Sequence, residues 1–201
     1  FTTRYTHVVY ALGFVVTKEA FDDDQYDVVG SRRARGLAFS MRQTKEIVAA
    51  NVYNRAFTSG YTFGDGQVLL SSSHPNIAGG TWSNILSTAA NLSEASLEQA
   101  CIDIAKYTND RGLRINVQPQ KLIIPVDLQF EAERILKSPA NMRVGTAERE
   151  INALVQMGKF PGGIVVNNYL TSTTAWFIRT NVQDGMKHFS RMDDTFAEDN
   201  D

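Results

Sequence analysis

The stretch that most limits what this chain can become is residues 20–57, thirty-odd positions without a proline. Asp22, Asp23 and Asp24 stand at its start, where a helix N-terminus favours negative charge and capping oxygens. At a hundred degrees per residue, Tyr26, Ala34, Leu37, Ala38, Met41, Val48, Val52 and Ala56 share one stripe, the pattern of a core-facing helix. The rest of the surface is not clean. Val29, Phe39, Ile47, Tyr53 and Phe57 lie on other faces, among Arg32, Arg35, Arg42 and Glu46. A helix of roughly 35 residues runs about 50 Å, more than the width of a compact domain of this size. The spacing therefore predicts one long helix that overhangs its body and needs a second cover for its apolar back, supplied by other copies of the chain.

The totals narrow the class. With 201 residues, 43% hydrophobic and 21% charged, this is an ordinary folded chain of one large or two small domains. A formal net charge of −2 argues against a surface built to hold nucleic acid, which carries a basic excess. The single cysteine, Cys101, rules out an internal disulfide framework and fits a reducing compartment. The longest apolar run, around residues 7–16, is far short of the ~20 residues that span a bilayer, and no cleavable signal pattern is present. A first residue that is Phe1 rather than Met, and the acidic stub 198–201, predict a fragment or a processed chain.

Residues 1–17 read as strand, with Tyr5, His7 and Val9 on one side; its ladder partner is expected from a missing segment or another subunit. Gly30 and Gly36 are expected to bend the long helix near its start. Residues 58–91 are punctuated by Gly60, Gly64, Gly66, Gly79 and Gly80, with Val68-Leu69-Leu70 as a short strand and Ser71-Ser72-Ser73-His74-Pro75 as a loop. Ser93 is an N-cap, Leu92 is placed to staple onto Leu97, and Leu97, Ala100, Cys101 and Ile104 keep helical spacing until Asn109, Asp110 and Gly112 end it. Residues 121–124 form a short buried strand. Pro125 and Pro139 then bracket an amphipathic helix with Leu128, Ala132, Ile135 and Leu136 facing inward. Residues 140–160 read as loop with one helical turn, 163–167 and 174–180 as apolar runs, and 185–191 as a last strand. The architecture so read is α+β.

Chemical motifs are sparse. Gly60-Tyr61-Thr62-Phe63-Gly64-Asp65-Gly66 is glycine-rich like a phosphate loop but lacks the following Lys-Ser/Thr and the helix; a turn-rich crossover explains it. Ser71, Ser72, Ser73 and His74 raise a hydrolase-like alternative with a Ser/His site near His74, yet adjacent residues seldom hold nucleophile–base geometry and no Gly-x-Ser-x-Gly elbow is present. His7, His74 and His188 are far apart and lack carboxylates at metal-ligand spacing. Asp22 to Asp24 and the acidic stub suit a helix cap and a solvated tail better than a cation site. Arg32, Arg33 and Arg35 are the basic cluster, open to nucleic acid or to acids of a neighbouring subunit. No catalytic residue, cofactor site or metal site is assigned. Tyr5, His7, Val9, Phe39, Ile47 and Tyr53 are the candidate subunit contacts.

Three segments carry a resemblance. Asp65-Gly66-Gln67-Val68-Leu69-Leu70-Ser71-Ser72-Ser73-His74-Pro75-Asn76, followed by Gly79-Gly80-Thr81 and Ser83-Asn84, is one. Pro119-Gln120-Lys121-Leu122-Ile123-Ile124-Pro125, leading into a helix that ends Ile135-Leu136-Lys137-Ser138, is the second. Val165-Val166-Asn167-Asn168-Tyr169-Leu170-Thr171-Ser172-Thr173-Thr174-Ala175-Trp176-Phe177 is the third. Each is modestly specific, but their order and spacing together resemble the major capsid proteins of tailed bacteriophages. The resemblance implies the HK-type fold shared by tailed-phage and herpesvirus capsid proteins. Residues 1–19 would be the returning strand of the E-loop. Residues 20–92 would form the peripheral domain, with a spine helix at 20–57 and a Gly-rich crossover. Residues 93–182 would be the axial domain, and 183–201 the return to the periphery. It further implies a structural, non-enzymatic subunit assembled in the host cytoplasm. Copies would join into the hexamers and pentamers of an icosahedral shell in the virion. Portal, scaffolding and decoration proteins would be its partners, and packaged double-stranded DNA would lie inside without sequence-specific contact, with no membrane involved. Some members crosslink a lysine to an asparagine; no such pair is placed here.

Overall fold

The computed structural model describes residues 6–23, 26–142, 149–183 and 185–197. Its centre is a three-stranded sheet in the order β6-β3-β7. Strand β3 (Pro119–Ile124) runs parallel to β6 (Ile164–Val166) and antiparallel to β7 (Phe177–Thr180). The β3 sequence is continuously apolar at its end because both faces are covered. Side chains alternate across a strand. Leu122 and Ile124, both fully buried, join Leu92, Leu97, Cys101, Ala132 and Leu154 in one cluster, whereas Ile123 joins Ala56 and Phe177 in another.

Helices cover the first face. Helix α3 (Glu94–Ala105) begins as the sequence predicts: Ser93 Oγ accepts from the Ser96 amide at 3.2 Å, and Ser96 Oγ accepts from the Ser93 amide at 2.9 Å. Leu92 and Leu97 are both buried in the same cluster, and Ala100, Cys101 and Ile104 line the buried side. Pro125 caps a 3-10 turn (Val126–Leu128) that leads into α4 (Gln129–Lys137), ending at Ser138 before Pro139. Leu128, Ile135 and Leu136 pack on the cluster around Ala132, as expected. The helical turn expected within 140–160 is α5 (Ala153–Gln156), but the stretch before it, expected as loop, holds an antiparallel pair, β4 (Ala140–Met142) with β5 (Arg149–Ile151). The short polar strands are fixed by backbone pairing rather than by apolar alternation, so periodicity does not reveal them.

The second face of the sheet receives the end of the long helix, which is two elements. Helix α1 (Lys18–Asp22) is capped by Thr17, whose Oγ1 accepts from the Ala20 amide at 3.4 Å. Helix α2 (Tyr26–Asn54) then runs 29 residues, about 44 Å at 1.5 Å per residue. The Asp run is therefore not the N-cap of one continuous helix. Asp22 ends α1 and Asp23 is its C-cap; short acidic side chains compete for nearby backbone groups and favour such breaks. Helix α2 continues through Gly30 and Gly36 without interruption. At its other end Tyr53 stacks obliquely on Phe177 at 5.0 Å, and Asn54 clamps the β6–β7 connection. Its Nδ2 donates to the Tyr169 carbonyl and its Oδ1 accepts from the Thr171 amide, both at 3.0 Å.

Four further expectations differ from what the described residues form. Residues 6–17 form no strand among the described residues, and neither do residues 185–191; neither segment finds a ladder partner among them, and an isolated strand is not stable. Val68-Leu69-Leu70 forms only a single bridge pair, Thr62 with Val68. Its neighbour, expected as loop, contributes β1 (His74–Pro75), which pairs with β2 (Thr81–Trp82) across a turn whose Gly79 and Gly80 have φ of 91° and 80°.

The return to β6 has a tight spot. A Cβ on Gly162 would lie 2.8 Å from the Gln120 carbonyl oxygen and strike Lys121 Cγ, while the Gly162 amide donates to that same carbonyl at 2.8 Å. Gly162→Ala must therefore push backbone from backbone. We expect a loss of about 1–3 kcal/mol in thermal or urea unfolding. Gly60→Ala, with open space around it, should stay within about 0.5 kcal/mol.

Candidate functional site

Two features stand out once the elements are placed, one chemical and one a surface. The chemical one lies in the glycine-rich crossover. His74 is buried on β1, its ring stacked on Trp82 at 4.9 Å and 28°, with Trp82 in turn edge-on to Tyr107 at 5.7 Å. His74 Nδ1 sits 2.6 Å from Asp65 Oδ2. A carboxylate can only accept, so Nδ1 carries the proton. Burial would raise the Asp65 carboxyl, but the hydrogen bond from His74, another from the Gln67 amide and the adjacent imidazole outweigh it and hold it below 3.8. This pair ties the Gly64-Asp65-Gly66 turn to the β1–β2 hairpin, a link nine residues long that spacing alone does not announce.

The serines do not complete a catalytic array. Ser71 Oγ and Ser73 Oγ lie 3.3 Å from each other, and Nε2 of His74 is buried without a partner among the described residues. Asn84 closes the same loop, accepting from the Ser71 amide at 2.8 Å and donating to the Leu69 carbonyl at 2.7 Å. An open cleft of about 470 Å³ adjoins it, lined by Trp82, Asp103, Lys106 and Tyr107. Burial, with the Asp103 charge adding, pushes the Tyr107 phenol up to about 12. The geometry makes the pair a clamp, and a clamp has a pH signature. A carboxyl depressed on folding contributes stability above its unfolded pKa and loses it as pH falls through the folded one. Asp65→Asn should thus cost about 1 kcal/mol at pH 6 and progressively less below pH 4, read from melting temperatures across that range.

The surface feature is larger. The chain exposes 15,197 Å², whereas a compact monomer of its 22.3 kDa mass exposes about 9,400 Å². Helix α2 accounts for part of the excess: among its described side chains Ala50 is the buried hydrophobic one, while Phe39 is 69% and Ile47 40% exposed. Segment 6–17 carries more, with His7 exposed and Val9 at 88%. It is held at its far end by Arg33, whose Nη1 donates to the Val15 carbonyl at 2.6 Å, so one member of the basic cluster serves as a staple. Arg32 and Arg35 remain exposed.

The six contact residues thus divide. Phe39, Ile47, His7 and Val9 present open surface. Tyr53 is half-buried against Phe177, because the turn that carries it docks on the sheet. Tyr5 lies outside the described residues. Cys101 is buried in the α3 face as a small hydrophobe, and burial raises its thiol. No group of His, Cys, Asp or Glu among the described residues is gathered closely enough to hold a metal, and no helix among them is long and apolar enough to cross a membrane.

The model of a family described as phage capsid protein matches residues 1–200. A search of curated proteins and a search of solved structures returned no match.

Proposed function

Because this chain belongs to a family of phage capsid proteins, a structural component of the virion capsid, we propose that it is the major subunit, which joins with its own copies into the hexamers and pentamers of an icosahedral shell around double-stranded DNA. The observation that carries this reading is the surface excess. About 5,800 Å² beyond the compact-monomer value is the scale of obligate assembly interfaces, which bury about 2,000–5,000 Å² or more. A finished monomer has no reason to leave Phe39, Ile47 and Val9 in water together; a subunit whose neighbours cover them does.

In this reading α2 is the spine helix of a peripheral domain over residues 20–92, and residues 93–182, built on the β6-β3-β7 sheet, are the axial domain. Residues 1–19 return from an E-loop laid on the adjacent subunit, which explains a β-prone segment that finds no ladder partner among the described residues. Residues 183–201 re-enter the periphery. Portal, scaffolding and decoration proteins complete the assembly in the host cytoplasm. A formal net charge of −2 suits a lining that encloses DNA without gripping it. Several modest contacts made at once hold the lattice by avidity.

Sedimentation and negative-stain imaging of the purified protein test this directly. Closed particles of megadalton mass are expected. A chain that stays monomeric or dimeric through the millimolar range would overturn the shell reading.

A further inference from the structure

Near its C-terminal end, α2 borders an open apolar groove. Val48, Asn51, Val52 and Arg55 form one wall and Tyr61 and Phe63 of the crossover the other, enclosing about 190 Å³. An apolar cavity of about 150 Å³ is enough to take benzene, so one aromatic ring fits. At the rim the Arg55 guanidinium lies 4.4 Å over the Tyr61 ring, and no carboxylate among the described residues pairs with it. The groove therefore suits an aromatic side chain followed by acidic residues.

The chain carries such a segment beside the groove. Lys45, Val48 and Val52 are three and four residues apart, hence on one side of α2. Lys45 Nζ lies 2.7 Å from both carboxylate oxygens of Asp194, which places position 194 one helical turn from the groove's rim. This ion pair is too exposed to contribute much to stability, so its effect is positional. Two residues on, Phe196 is 71% exposed, and Glu198, Asp199 and Asp201 follow it in sequence. Phe196, two residues past this ion pair, and the groove, which begins one turn past Lys45, are both open on the same copy.

We infer that the groove is filled by residues 196–201 of a second copy, with Phe196 seated between Val48, Val52 and Phe63, and the acids that follow set against Arg55. A patch carrying both halves is self-complementary: two copies related by a two-fold axis each insert their Phe196 into the other. This rests on the self-association proposed above and names a contact that serves it. It explains why an apolar groove and an exposed aromatic coexist within reach of each other without closing.

The test mixes two full-length copies, one Phe196→Cys and one Val48→Cys, under mild oxidation. Native Cys101 is buried and stays out of the reaction. A disulfide-linked heterodimer is expected at about tenfold or more over the pairing of Phe196→Cys with Glu46→Cys, an exposed position nearly opposite Val48 on the helix. Arg55→Glu in the groove copy should lower the yield about fivefold, and Glu198→Lys in the plug copy should restore it. A yield no higher than the Glu46 control, with particles still forming, overturns this contact and leaves the shell intact. A chain carrying both cysteines that closes on itself at high dilution overturns it in favour of the copy's own tail. Heterodimer without particles supports the contact while the shell reading fails.

Discussion

Phe39→Asp is expected to leave the subunit folded and to abolish shell formation. The ring is 69% exposed on α2 and belongs to neither core cluster, so the substitution costs the monomer little beyond helix propensity, about 0.7 kcal/mol at most. In a lattice contact the balance is different. Covering a phenylalanine contributes about 1.5–3 kcal/mol, and covering an unpaired carboxylate instead costs several more. A swing of about 5 kcal/mol per contact corresponds to more than 10³ in an association constant. Because every subunit repeats the contact, the concentration at which shells close should rise by at least that factor. Sedimentation should show particles for the parent chain and none for the variant at the same concentration, with circular dichroism and melting temperature nearly unchanged. Ile47→Asp should act in the same direction, more weakly, since that side chain is only 40% exposed to begin with. Tyr53→Asp should instead lower the melting temperature, because its ring packs on Phe177. Shells that form normally from the Phe39→Asp chain would remove α2 from the assembly contacts.

Legibility in the sequence followed the range of the forces. Helix α3 and the β3-to-α4 passage were readable because their signals are local: Ser93 with its following amide, the prolines at 125 and 139, and an apolar repeat that matches burial in Leu97, Ala100, Cys101, Ile104, Leu122, Ile124 and Ala132. The long helix was readable as a kind of element but not in its extent, since helical spacing carries straight across Asp23, where the backbone breaks. The reverse holds at 6–17 and 185–191, where the described residues form no strand. Their alternating apolar residues have the composition of strands, but a strand exists only with a neighbour to pair with. Hairpin β4–β5 had the neighbour without the composition. Of the candidate site, the exposed positions Phe39 and Ile47 followed from helical geometry alone. The His74–Asp65 pair did not, nor did the Asn54 and Asn84 clamps. An asparagine side chain imitates a peptide group, and which backbone it serves depends on how the loops are already routed.

Asn152 is the strongest case of such routing, and replacing it should produce the largest loss of fold stability. It is fully buried. Its Oδ1 accepts from the Val155 amide at 3.2 Å and so caps α5, its Nδ2 donates to the Ile135 carbonyl in the last turn of α4, and its own amide donates to the Pro139 carbonyl at 3.3 Å. One side chain thereby fixes two helices that cover the sheet face holding Leu122 and Ile124. Asn152→Ala loses a cap, about 1 kcal/mol, and orphans a buried carbonyl, about 1–3 kcal/mol more. The expected total is about 2–4 kcal/mol in urea unfolding. Asn152→Asp keeps the cap and the shape but turns the donor into a carboxylate facing the Ile135 oxygen. At pH 7 that leaves an uncompensated buried charge, about 3–5 kcal/mol. Burial and the facing carbonyl raise the folded pKa of this new acid, so its neutral form is the one the fold accepts. Stability is then retained below the unfolded value near 4 and lost as pH rises through the folded one. The gap between Asn152→Asp and the parent should therefore narrow from pH 7 to pH 4, while the gap for Asn152→Ala stays constant. Parallel, pH-independent losses in both variants would mean that Asn152 acts by filling space and not by donating to α4.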